Sequence, residues 1–93
     1  MANTKHTEFY DSEKKIIKTR FCLDEKMRLD GKVEFFRPNG QYEETSTWCH
    51  GHRHGTTALY DKNGFCYSKS RYLYGKLMWR KLYQPKTNKK ETI

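Results

Sequence analysis

Within six residues, Cys49-His50-Gly51-His52-Arg53-His54 gathers a thiol, three imidazoles and a guanidinium. Thiolate and imidazole are the donors zinc prefers, and a cysteine beside a histidine is also the type set of nucleophilic catalysis. Zinc needs three or four converging donors, with pairs anchored at defined spacings. Here Cys49, His50, His52 and His54 share one glycine-rich turn, and no second pair follows at a set distance. A nucleophile made of Cys49 or Cys66 with His50 lacks an orienting third group and oxyanion donors at readable spacing. Glu43 and Glu44 are adjacent, so on a strand they point to opposite faces and form no acid-base pair. Cys22, Cys49 and Cys66 are odd in number and fit no disulfide framework, so reduced thiols are expected. The reading is a non-enzymatic chain with no catalytic residue, metal ligand or cofactor. The histidine turn is then a solvated basic turn or a contact loop, with His52, Arg53 and His54 as candidate binding residues.

A second chemistry-bearing group lies toward the C-terminus, where Lys69, Arg71, Lys76, Arg80, Lys81 and Lys86 surround Trp79 and Tyr83. A planar ring beside cations stacks an unpaired base while Lys or Arg meets phosphate, each stack contributing about 1–3 kcal/mol. The same side chains also serve a protein interface, where Trp, Tyr and Arg carry much of the binding energy.

The elements that hold these residues follow from a repeat. Gly31 and Gly55, Asn39-Gly40 and Asn63-Gly64, Gly51 and Gly75, Phe36 and Tyr60, and Trp48 and Tyr72 are all 24 residues apart. Each Asn-Gly sits between alternating aromatic and β-branched segments, which predicts a hairpin with a type I′ turn. Strands are expected at about 32–37, 41–48, 56–60, 65–72 and 76–83, with an imperfect earlier copy in EFYDSEKKIIKTRF. At most one helical turn is allowed in LDEKMRLDGK. Period-two alternation groups Tyr42, Glu44, Ser46 and Trp48 with Cys66, Ser68, Ser70 and Tyr72, so that small hydroxyls lie under aromatic ribs. It also sets Leu77, Trp79, Lys81 and Tyr83 opposite Lys76, Met78, Arg80 and Leu82. The expected fold is all-β: tandem hairpins of period 24 forming an elongated, twisted antiparallel sheet. Residues 1–7 read as a flexible N-terminus, 8–83 as one β-repeat domain, and 84–93 as a basic disordered tail.

The segments HGHRHGTTALYDKNG and YGK with its following Trp and Tyr resemble the MORN-type repeat, in particular the variant found in bacterial proteins classed as antitoxins. The resemblance covers residues 8–83. It implies a row of hairpins in one sheet, and a function in contact with protein or lipid.

Composition bounds these readings. Ninety-three residues make one small domain with little room for a deep cleft, and only 34% are hydrophobic while 15% are aromatic. The formal net charge of +8 attracts nucleic acid, anionic lipid or an acidic protein face. No run of apolar residues reaches the length of a membrane span or a secretory core, so a cytoplasmic location is expected and a membrane partner is not. The leading expectation is an inhibitor that neutralises a protein partner, a toxin or a defence enzyme, from a toxin-antitoxin locus or a mobile element. The alternative is RNA or single-stranded DNA binding through the C-terminal half. Open sheet edges leave room for a homodimer by edge pairing.

Overall fold

A computed structural model of the chain describes residues 3–84. Eight antiparallel strands form one open sheet: β1 (Thr4–Phe9), β2 (Ile17–Leu23), β3 (Gly31–Phe36), β4 (Tyr42–Cys49), β5 (His52–Arg53), β6 (Gly55–Tyr60), β7 (Cys66–Leu73) and β8 (Lys76–Leu82). Their spatial order is β1-β2-β3-β4-β6-β7-β8, with β5 also beside β4. There is no helix among the described residues, LDEKMRLDGK included. The molecule measures 55 × 38 × 13 Å, a single layer of strands. Residues 85–93, most of the expected tail, and Lys86 with them, lie outside the described residues.

The N-terminal expectation needs correction, because β1 begins at Thr4 rather than after residue 7. Thr4 to Phe9 pairs with Leu23 to Ile17, so the first strand closes hydrogen bonds that β2 would otherwise leave open. The His6 ring stacks on Phe21 at 5.2 Å, and Asn3 Nδ2 donates to the Asp30 carboxylate at 2.7 Å.

The turns also differ from expectation. A type I′ turn needs positive φ at both central residues, but at Asn39-Gly40 and Asn63-Gly64 only the glycines have it, at 91° and 87°. These hairpins close instead over three residues. The Gly40 N–H donates to Arg37 O and the Arg37 N–H to Gln41 O; Gly64 and Asp61 repeat the pattern with Asp61 O and Phe65 O. Such a loop ends in a left-handed residue. Side chains stabilise its first part, since Asp61 Oδ1 accepts from the Asn63 and Phe65 N–H groups at 2.9 and 3.0 Å. Turns with two positive φ values occur at the other ends of the hairpins, at His50-Gly51 (46°, 88°) and Tyr74-Gly75 (47°, 89°).

Four register shifts break strict alternation, one of them between Glu8 and Phe9 in the β1–β2 pair. The others fall between Phe35 and Phe36, between Leu59 and Tyr60, and between Arg71 and Tyr72. An extra residue in one strand moves every side chain beyond it to the other face. Tyr42 therefore leaves the face of Ser46: its hydroxyl donates to Glu34 Oε2 at 2.7 Å, and its ring meets Phe36 and Tyr60. Cys66 moves with it, opposite Tyr60. In β8 the shift puts Leu77 opposite Tyr72, on the face of Arg80 rather than with Trp79 and Lys81.

Among the described residues, the buried hydrophobic ones are Val33 and Ala58, whereas the buried polar ones are Thr19, Asp24, Ser46, Thr57, Ser68 and Ser70. The small hydroxyls thus lie under aromatic and cationic ribs as expected. Ser46 Oγ accepts from Trp48 Nε1 at 2.9 Å, and Ser70 Oγ from Arg80 Nε at 3.0 Å.

Two substitutions test this backbone. Gly64→Val puts a β-branched residue at a φ of 87°, and a loss of about 1–3 kcal/mol is expected in denaturant unfolding. Met27 is 72% exposed yet holds a φ of 64°, so Met27→Gly should stabilise by about 0.5–1 kcal/mol, the relieved left-handed strain exceeding the added chain entropy.

Candidate functional site

The histidine turn is bound into the fold through His50 at two places. His50 Nδ1 lies 2.9 Å from Asp24 Oδ2, and the His50 N–H donates to Asp30 Oδ1 at 2.8 Å. Asp24 itself is buried and accepts from the Lys26 N–H, the Arg28 N–H and Arg28 Nε, each at 2.9 Å. The loop between β2 and β3 is therefore pinned to the turn between β4 and β5. The His50 hydrogen bond holds the Asp24 carboxyl far below the ordinary carboxylate range, against the opposing effect of burial, and the Arg28 and Lys26 donors add to it. Asp30 is lowered as well, first by Asn3 and then by the His50 amide.

Metal-ligand types do meet here, though in a different set from the four residues of the turn. Asp30, Cys49 and His50 bring one donor atom each to within 4.8 Å of one another. Asp30 and His50 already serve this hydrogen-bonded cluster, and the Arg28 guanidinium occupies the carboxylate beside them. Sequence spacing missed Asp24 and Asp30 because both precede the turn by at least 20 residues and reach it only across paired strands.

Arg53 and His54 make cross-strand ties and are not simply part of a solvated basic turn. The Arg53 guanidinium lies over the Trp48 ring at 4.8 Å and within 5.9 Å of the Tyr72 ring. Its Nη1 donates to Glu44 Oε2 at 2.9 Å and to Thr57 Oγ1 at 3.1 Å. His54 stacks on Tyr74 at 4.3 Å, and its Nδ1 accepts the Tyr74 N–H. His52 lies against the β7–β8 turn, where a Cβ on Gly75 would come within 3.3 Å of its Nδ1. Of this trio, Arg53 and His54 are committed to holding hairpins together.

The C-terminal residues sort by face. Lys69 is directly opposite Lys81, and Arg71 directly opposite Trp79, so these four share one face of the last hairpin. Trp79 is 46% exposed. Lys81 Nζ sits 5.7 Å from the Tyr83 ring, adding an aromatic to the same corner. Arg80 lies on the other face, where its Nη2 donates to the Tyr72 hydroxyl at 3.2 Å. Lys76 begins β8 beside the turn, opposite Leu73.

Like charges directly opposite on a sheet destabilise it, and here no carboxylate lies nearby to offset them. Through Asp61 the chain has ten Lys and Arg against ten Asp and Glu; from Lys62 onward it has nine against Glu91 alone. Among the described residues, no carboxylate pairs with Lys69, Arg71, Lys76, Arg80 or Lys81. The whole net charge thus resides in the final third of the sequence.

The pinned turn makes an acid-stability test. Asp24 has its pKa lowered in the fold, so its contribution is fully present above the unfolded value of about 4 and is lost as pH falls toward the lower folded one. Asp24→Asn should lower Tm at neutral pH and flatten the decline of Tm below about pH 4. A parallel melt with and without chelator should give the same Tm, because a structural metal would contribute directly to folding energy.

Comparison of the chain with protein-family models, curated proteins and solved structures yields no match.

Proposed function

We propose that the chain is a small non-enzymatic binding protein that inhibits or neutralises a partner protein. One observation carries the reading: of the ten large hydrophobic side chains exposed among the described residues, six fall between Leu73 and Leu82. They are Leu73, Tyr74, Leu77, Met78, Trp79 and Leu82, and they stand on an edge hairpin that also holds the unpaired cations. A concentrated apolar patch rimmed by charge marks a protein contact, whereas scattered exposed hydrophobics do not. The resemblance to MORN-type antitoxins supports the same reading, with a toxin or defence enzyme as the partner. A flat single layer suits a surface that covers another protein's site, and the exposed Trp79 and Tyr74 on the last hairpin, with Arg71 opposite Trp79, are residue types that carry binding energy.

The second reading is RNA or single-stranded DNA binding, favoured by the Lys69–Lys81 and Arg71–Trp79 pairs on one face. Two rows of cations flanking an indole fit a phosphate chain with a stacked base.

Salt and mutation separate the two. If a protein is the partner, Trp79→Ala should weaken inhibition by about 2 kcal/mol or more, roughly thirtyfold, while Tm changes little because the ring is half exposed. Affinity should then depend weakly on salt. If nucleic acid is the partner, Lys69→Ala and Lys81→Ala should each reduce the slope of log affinity against log salt by about 0.7 on a single strand. Tagged purification from the native host, with identification of bound protein and RNA, decides which measurement applies.

A further inference from the structure

We infer that β8 is a docking edge for an acidic extended segment of the partner, which joins the sheet as an additional strand. The inference rests on the protein-binding reading above and names the chemistry of what is bound.

The first ground is the edge itself. β8 ends the strand order, all seven of its residues are exposed, and its register is regular from Trp79 to Leu82. An edge strand presents unpaired N–H and C=O groups, and proteins usually protect such edges with proline, bulges or inward charges. The bulge of β8 lies toward its start, and from Trp79 onward the edge is guarded only by the exposed cations Arg80 and Lys81, which repel a like-charged strand and leave the edge open to an acidic one. The opposite edge, β1, is a contrast: it is mostly polar, carries both Lys5 and Glu8, and is tied through Asn3 to Asp30.

The second ground is charge on both faces. Trp79 and Lys81 lie on one face of β8, and Leu77, Arg80 and Leu82 on the other. An added strand presents side chains alternately to both faces, so carboxylates and apolar groups along it would meet cations and apolar groups on each side. A nucleic-acid strand lying on the Lys69 and Trp79 face would leave Arg80, Leu77 and Leu82 unmatched. A second copy of β8 would bring Lys76, Arg80 and Lys81 against a like set, and like charges across a strand pair repel. An acidic peptide strand satisfies the edge, both faces and the charge together.

The test uses the full chain and a fluorescein-labelled peptide of repeated Glu-Glu-Val-Val units. Two control peptides accompany it, one with alternate backbone amides N-methylated and one with Lys in place of Glu. Anisotropy should show the acidic peptide binding at least about tenfold more tightly than either control. Amide exchange should slow by about tenfold or more within β8, and not in β1. Lys76→Glu with Lys81→Glu should cost about tenfold in affinity without lowering Tm, since the change at position 81 replaces a like-charge pair with Lys69 by an opposite one.

Equal binding by the N-methylated peptide would leave only charge attraction and overturn strand addition. So would protection of β8 that appears without peptide as protein concentration rises, which would make a second copy the occupant. Tighter binding of oligouridylate than of the acidic peptide at about 0.15 M salt would assign the surface to nucleic acid instead. The inhibitor reading is separable from this one. A host protein still inhibited by the Lys76→Glu, Lys81→Glu variant keeps that reading and removes the docking edge. Peptide binding with no inhibited host protein does the reverse.

Discussion

A sheet that stands alone has to cover its faces with its own side chains, because no second layer exists to bury them. Most folds hide one face of a sheet against helices or another sheet, which is where hydrophobic burial comes from. Here the layer is 13 Å thick and the fully buried apolar side chains are Val33 and Ala58. The burial that remains is local. Serine and threonine occupy the middle positions, and longer side chains from neighbouring strands lie flat across them. Arg53 is the clearest case: its guanidinium spans Trp48 and Tyr72 while bonding Glu44 and Thr57. A cation over an aromatic face contributes about 0.5–2 kcal/mol, and one side chain here joins β4, β5, β6 and β7.

The same constraint explains why the polar clusters matter so much. With little apolar core, loops are fixed by hydrogen bonds, and Asp24 fixes two of them at once. Its carboxylate closes its own turn through the Lys26 and Arg28 amides and reaches His50 on the following hairpin. Histidine, cysteine and aspartate come together there for structural reasons, although their types in isolation read as chemistry.

Covering the faces also determines where the molecule is left incomplete. Each internal hairpin is flanked by strands whose side chains lie over its own. The last hairpin has a neighbour on one side only, so the aromatic and aliphatic side chains that would serve as ribs stay exposed along β8. The absence of acidic residues from Lys62 until Glu91 leaves that edge strongly positive as well. Exposed apolar side chains and the sheet edge coincide because no further strand follows β8 in the sheet.

The all-β class, the central strand boundaries and the location of the basic aromatic block were legible in the chain, because alternation and turn residues are local signals. The glycine pairs marked turns correctly, but which pair takes which turn depends on the bonds available around it. Asp61 closes a three-residue loop over Asn63-Gly64, while the pairing of Cys49 with His52 leaves only His50-Gly51 to make the tighter turn. Side-chain faces were legible up to the bulges and wrong beyond them, as Tyr42 and Leu77 show, since an extra residue is defined by the partner strand and not by the strand that carries it. Whether a charged or polar side chain was free or committed was decided by tertiary structure alone. Arg53, His54, Lys69 and Lys81 are alike as residue types, yet cross-strand neighbours engage the first pair within the sheet and leave the second pair facing solvent.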